Sequence, residues 1–200
     1  AYKQQSREDA IKIGLDYYGP KMRQIVEQAE TIIANHHSQK PNSKNQIPKT
    51  LLLHCWRGGM RSQAIAWLLD IYGFTVHVLD GGYKAYRHWR GTNFEQTYPL
   101  HIVGGYSGAG KTHVLHQLQV SGYATIDLEA IAQHKGSAFG GLDYESQPTQ
   151  EMFENLLANT LNDAVTNHPG KPIWIEDESR RIGQVNLPDA FWKELQSAPV

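Results

Sequence analysis

The most reactive stretch of this chain is His54-Cys55-Trp56-Arg57-Gly58-Gly59-Met60-Arg61-Ser62, which holds the one cysteine among 200 residues. An apolar run, Thr50-Leu51-Leu52-Leu53, precedes it and reads as a buried strand. Gln63 to Leu69 follows and reads as a helix. Cys55 therefore sits where a strand turns into a helix. Two adjacent glycines let backbone N–H groups converge without side chains in the way. Those N–H groups and the positive end of the following helix make a nest for an anion, and the same field favours thiolate over thiol. Arg57 and Arg61 add charge, and a guanidinium can grip a tetrahedral anion through two hydrogen bonds. The expected chemistry is nucleophilic sulfur beside an oxyanion site, with Cys55, Arg57 and Arg61 as the catalytic candidates.

A second anion site is written further along. Gly104-Gly105-Tyr106-Ser107-Gly108-Ala109-Gly110-Lys111-Thr112 meets the phosphate-loop pattern G-x-x-x-x-G-K-[ST], with a strand expected before it and a helix after it. Gly105, Ser107, Gly108, Ala109 and Gly110 would turn backbone N–H groups onto a di- or triphosphate. Lys111 would reach a terminal phosphate, and Thr112 suits a Mg²⁺ ion. Ile173-Trp174-Ile175-Glu176-Asp177-Glu178 reads as a strand ending in acids. Asp177 and Glu178 are taken as the Walker B-like carboxylates that help to hold the ion.

The elements that must position these loops follow from periodicity and punctuation. Helices are expected over 6–17, with Ser6 as cap and apolar Ala10, Ile11, Ile13 and Leu15, and over 21–35. A polar loop fills 36–49. Strands are expected over 75–79, 100–103 and 122–127, and helices over 83–89, 113–120, 128–134 and 148–167. The last should turn Met152, Phe153, Leu156, Leu157, Leu161 and Val165 inward. Residues 135–147 read as a Gly-rich loop near the phosphate site. Strands alternating with helices imply parallel α/β sheets. Residues 91–99 are polar without clear period and mark a boundary between a domain at 1–95 and a domain at 96–200.

Composition narrows the class. The chain is 40% hydrophobic and has one cysteine, which excludes an internal disulfide framework and suits a reducing cytoplasm. No apolar run approaches the roughly 18 residues of a membrane span, and no signal peptide is visible. Residues 1–100 carry 13 basic and 8 acidic side chains, and residues 101–200 carry 6 and 12. The basic half suits an anionic partner. His36-His37 is the one adjacent histidine pair; neighbouring side chains diverge and no further ligands cluster with them, so no metal site is expected.

The cysteine loop resembles two known active sites. One is the rhodanese loop, whose cysteine carries sulfur or selenium. The other is the cysteine phosphatase signature, which His54, Cys55, Gly58, Arg61 and Ser62 also satisfy. Asp80-Gly81-Gly82-Tyr83 followed by Trp89 looks like the end of a rhodanese domain. The whole chain resembles the bacterial tRNA 2-selenouridine synthase family, a rhodanese-like domain followed by a P-loop domain. The resemblance rests on Tyr2-Lys3-Gln4-Gln5, Cys55 to Ser62, Asp80 to Arg87, Gly105 to Thr112, Asp127-Leu128-Glu129, His134 to Gly140, and Trp174 to Arg180. Ser107 stands where many members carry Thr. The fold class this implies is α/β: the C-terminal part of a rhodanese-like parallel domain, then a P-loop NTPase-like domain, truncated at both ends.

The resemblance implies an enzyme that converts 2-thiouridine at the wobble position of tRNA to 2-selenouridine. Its substrates would be selenophosphate and geranyl diphosphate, and the reaction would pass through an S-geranylated intermediate. Cys55 would handle selenium, and the phosphate loop would bind a diphosphate. The partner would be tRNA. Lys84, Arg87, Arg90, Arg180 and Arg181 are the candidate RNA contacts, and Tyr83, Tyr86 and Trp89 lie near the first three for base stacking. Two other readings stay open: a P-loop small-molecule kinase or ATPase with a rhodanese-like module, and a cysteine phosphatase. The phosphatase needs an Asp general acid on a separate loop, and the nearest candidates, Asp16 and Asp70, fall in expected helices.

Overall fold

The computed structural model describes residues 6–38, 49–106, 108–135 and 146–200. The chain divides into two compact units, Ala1–Tyr86 and Arg87–Val200.

The first unit opens with helix α1 (Arg7–Tyr18). The Ser6 hydroxyl accepts from the Asp9 N–H at 3.1 Å, and Glu8 and Asp9 suit the positive end of the helix. A tight turn at Gly19–Lys21 leads into α2 (Met22–Ser38), which ends three residues later than expected. The remainder of the expected loop, 39–48, lies outside the described residues. Strand β1 (Thr50–Leu53), helix α3 (Met60–Tyr72) and strand β2 (Thr75–Val78) follow. The strands pair in parallel, from Thr50 opposite Thr75 to Leu53 opposite Val78. Val26, Ala29, Leu69 and Phe74 form the small core, with Ile25, Ile33, Leu51, Leu53, Ile65, Leu68 and Val76 packed on it. Helix α1 buries none of its residues, and Leu15 is 59% exposed. Its tie to α3 is the Tyr18 hydroxyl, which donates to the Ala64 carbonyl at 2.8 Å.

Helix α4 (Gly82–Phe94) crosses from one unit to the other. The sequence placed its end at Trp89 and read 91–94 as the start of a polar boundary. Those residues are instead the last turn of the helix. Arg90, Asn93 and Phe94 are all buried and lie three and four residues apart on one face. Two of the three are polar, which hid the face from an apolar pattern. Arg90 meets the Glu154 carboxylate at 2.7 Å and donates to the Asn155 side-chain oxygen at 2.8 Å and the Glu151 carbonyl at 3.3 Å.

The second unit holds a parallel sheet of β3 (Leu100–Val103), β4 (Ala124–Ile126) and β5 (Ile173–Glu176), in the order β3-β5-β4. Ile173 lies opposite both Leu100 and Ala124, so all three strands end along one edge. Helices α5 (Lys111–Val120), α6 (Leu128–Ala132), α7 (Gln150–Asn167) and α8 (Asp189–Ser197) complete the unit. Ile126, Leu128, Phe153, Leu157, Leu161, Ile173, Ile175 and Phe191 form the centre of its core. Helix α7 buries Phe153, Leu157, Ala158, Leu161 and Ala164. Met152 and Val165, expected inward, are 50% and 42% exposed because they fall to the side of the 153–157–161–164 stripe.

The sequence reading missed a short antiparallel hairpin, β6 (Arg181–Ile182) and β7 (Val185–Asn186), turned at Gly183. Two glutamine amides grip it. Gln147 donates to the Ile182 and Ala132 carbonyls at 3.1 and 3.0 Å and accepts from the Gln184 N–H at 2.7 Å. Gln150 exchanges two 2.8 Å bonds with the Asn186 backbone.

Arg90→Ala leaves Glu154 half-buried without its cation and should cost about 3 kcal/mol of stability. The exposed Arg87–Glu151 pair, 3.5 Å apart, should cost less than about 1 kcal/mol when Arg87 becomes Ala. Urea unfolding of the two variants checks the contrast.

Candidate active site

The cysteine loop is aimed by helix α4. The Tyr83 and Lys84 N–H groups, orphan donors of the first helical turn, bond to the Cys55 and Trp56 carbonyls at 2.9 and 3.0 Å. In a trans peptide the C=O and the next N–H point in opposite directions. Holding the Trp56 carbonyl against α4 therefore turns the Arg57 N–H toward the sulfur. The Cys55 thiol is lowered to about 6 by the Ser62 hydroxyl and the Arg57 N–H, with smaller help from the Gly59 and Ser62 N–H groups. Oγ of Ser62 is 3.4 Å from the sulfur and 2.9 Å from the Gly59 carbonyl. One hydroxyl proton serves two acceptors, so ionisation of the thiol requires Ser62 to turn its proton from Gly59 to Cys55.

Two glycines make this approach possible. Gly58 and Gly82 both have φ near +64° and lie against each other. A Cβ on Gly58 would stand 2.6 Å from the Gly82 nitrogen, and one on Gly82 would run into the Cys55 carbonyl oxygen. Arg57 and Arg61 are exposed. Arg57 acts on the sulfur through its backbone N–H, so the Ser62 hydroxyl and peptide N–H groups, rather than guanidinium charge, lower the thiol. An aromatic cluster backs the loop: the Tyr83 ring is 5.8 Å from those of His54 and Trp56, both tilted to it, and from that of Tyr86, stacked on it.

The phosphate loop joins β3 to α5, at the edge where the strands of the second sheet end. The Lys111 ammonium donates to the Gly105 carbonyl at 3.1 Å and lies 3.9 Å from the Glu178 carboxylate. Gly105, Gly108, Ala109 and Gly110 precede it in the loop; Ser107 lies outside the described residues. The Thr112 hydroxyl donates to Glu176 at 3.5 Å, and the other Glu176 oxygen accepts from the Glu129 N–H at 3.0 Å. Glu176 is fully buried. Burial raises its carboxyl to about 8; the Glu129 N–H opposes the rise and the Asp127 and Glu129 carboxylates add to it. Glu178 is also raised, chiefly by burial, with Lys111 opposing.

Sequence reasoning named Asp177 and Glu178 and passed over Glu176. The structure brings Glu176 to Thr112 and Glu178 to Lys111, whereas Asp177 is exposed. Strand parity carried the signal: Glu176 and Glu178 share the side of Trp174, and Asp177 faces the other way. Of the basic candidates, Arg90 is corrected. It is 8% exposed and engaged by Glu154, so it is a core ion pair rather than a surface contact. Lys84, Arg87, Arg180 and Arg181 are exposed; Arg180 pairs with Asp189, and Nε of Arg181 donates to the Gly183 carbonyl at 2.9 Å. Trp89 packs on the core of the second unit. Among the described residues no three His, Cys, Asp or Glu side chains are grouped to hold a metal, and no helix is long and apolar enough to cross a membrane.

Two outcomes follow from these protonation states. Alkylation of Cys55 by iodoacetamide should show a midpoint near pH 6, and Ser62→Ala should move it up toward the ordinary thiol value of about 8.5. For Glu176 the folded state holds its proton more tightly than the unfolded state. The associated stability is complete below about 4.5 and is lost as pH rises through about 8. Glu176→Gln should therefore flatten the fall in Tm between pH 6 and pH 9.

Comparison with known proteins places the chain. Residues 98–200 match the family model described as the tRNA 2-selenouridine synthase AAA domain. The tRNA 2-selenouridine synthases of Nitrosomonas europaea and Nitrosomonas eutropha are each 36% identical over 203 aligned positions, covering 100% of this chain and 49% of theirs. That of Shewanella pealeana is 35% identical over 205 positions, covering 100% of this chain and 51% of its own. The chain spans about half the length of the curated relatives it matches. A family match over more than half of its residues, on the unit that carries the phosphate loop, shows that the chain belongs to the tRNA 2-selenouridine synthase family.

Proposed function

We propose that this chain carries the two reactive loops of an enzyme that converts 2-thiouridine at the wobble position of tRNA to 2-selenouridine. The observation that supports this most is the presence, in one chain of that family, of a thiolate cradle at Cys55 and a phosphate loop at Lys111. In this reading the first unit is the C-terminal part of a rhodanese-like domain and the second a P-loop domain.

The phosphate loop binds geranyl diphosphate. Backbone N–H groups and Lys111 take the diphosphate, whose negative charge they stabilise as it leaves. The thiocarbonyl sulfur of the tRNA base attacks C1 of the geranyl group, giving the S-geranylated base and free diphosphate. Thr112, Glu176 and Glu178 fit a Mg²⁺ ion shared with the phosphates: one hydroxyl and nearby carboxyls suit an ion that keeps most of its ligands as phosphate and water. When bound, the ion would supply charge to the leaving diphosphate. At the other loop, the selenium of selenophosphate bonds to C2 and the geranyl group departs on the displaced sulfur as a thiol; water then cleaves the Se–P bond, releasing phosphate and leaving 2-selenouridine. Cys55 is the selenium-handling nucleophile, with Arg57 and Arg61 available to the phosphate of selenophosphate.

The test uses the full-length protein with 2-thiouridine tRNA, geranyl diphosphate and selenophosphate, and identifies nucleosides by mass spectrometry. Cys55→Ala should accumulate S-geranylated tRNA, and Lys111→Ala should make neither product. A wild-type protein that leaves thiouridine untouched but hydrolyses ATP or a phosphate ester would replace this reading with the kinase or phosphatase reading.

A further inference from the structure

The aromatic cluster behind the cysteine loop is not needed to lower the thiol. Cys55 is held by peptide N–H groups and Ser62, none of them aromatic. Yet the residues on either side of Cys55 are both rings, and both lie 5.8 Å from Tyr83. The Tyr83 main chain is fixed by its N–H bond to the Cys55 carbonyl at 2.9 Å, and its ring is stacked on Tyr86 at 5.8 Å with 23° between the planes. Trp56 of this cluster is 46% exposed. A large apolar ring is thus held at the surface, one residue from the nucleophile and supported from behind. Arg57 follows Trp56 in the chain and the Lys84 N–H bonds to the Trp56 carbonyl at 3.0 Å, and the side chains of Arg57, Lys84 and Arg61 are exposed cations.

A rigid aromatic ring beside cationic side chains is the arrangement that receives an unpaired nucleobase with its phosphates. An enzyme that works on a base must present the reacting atom outside the stack of its neighbours. We propose that Trp56, backed by Tyr83, is the positioning residue on which the target pyrimidine stacks, so that its C2 substituent faces Cys55. This assignment rests on the tRNA reading given above and names the group that would hold the base. Stacking is indifferent to which edge of the base carries sulfur or selenium, so one platform serves the base before and after exchange. It also leaves the thiolate cradle untouched, which separates the role of Trp56 from that of Ser62.

The test measures binding of a 2-thiouridine anticodon stem-loop and of the same stem-loop abasic at the wobble position, by fluorescence anisotropy, in the full-length protein. Wild type should bind the intact stem-loop about 10-fold more tightly than the abasic one. Trp56→Ala should bind the two alike, and Trp56→Phe should restore most of the difference. The alkylation midpoint of Cys55 near pH 6 should be the same in all three proteins. If Trp56→Ala still discriminates, or if Trp56→Phe fails like Trp56→Ala and the Cys55 midpoint also moves, Trp56 is a structural residue and the assignment falls. A wild-type protein that forms selenouridine yet binds both stem-loops equally also overturns it. A wild-type protein that forms no selenouridine and binds no stem-loop fells the tRNA reading itself, and this one with it.

Discussion

Two hydrogen bonds from the first turn of α4 into the cysteine loop hold the chemistry of the first unit in place. They satisfy helix donors that would otherwise face outward without partners, and they fix the peptide planes on which the sulfur depends. Because each plane carries its N–H opposite its C=O, the helix does not need to touch the sulfur to set its field. The glycine contact between Gly58 and Gly82 is the steric condition for those bonds, since any side chain there would push the helix off the loop. Reactivity at Cys55 is therefore set by backbone placement together with the Ser62 hydroxyl.

The second unit solves its problem through strand order. With β5 between β3 and β4, the phosphate loop, the start of α6 and the acid at the end of β5 meet at one edge. An open parallel sheet carries its ligand site at the ends of its strands for this reason. The cost is a carboxyl at the centre of a dry neighbourhood. Glu176 bears it by accepting from the Glu129 N–H and by holding a proton at neutral pH. An arriving cation would supply the charge that favours its ionised form.

Both loops were legible from residue type and spacing, because glycine, lysine and cysteine at fixed offsets report directly on backbone conformation and charge. The bounds of the strands beside them were legible too, at Thr50–Leu53 and Leu100–Val103, but Thr50–Leu53, expected buried, buries none of its residues and leaves Leu52 66% exposed. Features built from polar burial escaped. Arg90 and Asn93 extend α4 into the second unit, yet in sequence they look like surface. Glu176 was hidden because three acids in a row look alike until strand parity separates them. The hairpin at 181–186 escaped because two-residue strands leave no periodic trace.

The glutamine grip on that hairpin has a consequence of its own. Two-residue strands do not persist alone in water. The Gln150 amide gives and takes one hydrogen bond at Asn186, as a backbone peptide of a third strand would. Helix α7 thus lends the hairpin a counterfeit neighbour made of side chain. The outer edge of β7 is occupied at that position, and a passing strand from another molecule finds no open peptide to pair with there. The presentation of Arg180 and Arg181 is thereby tied to the first turn of α7, so a substitution at Gln150 would be felt first at those arginines.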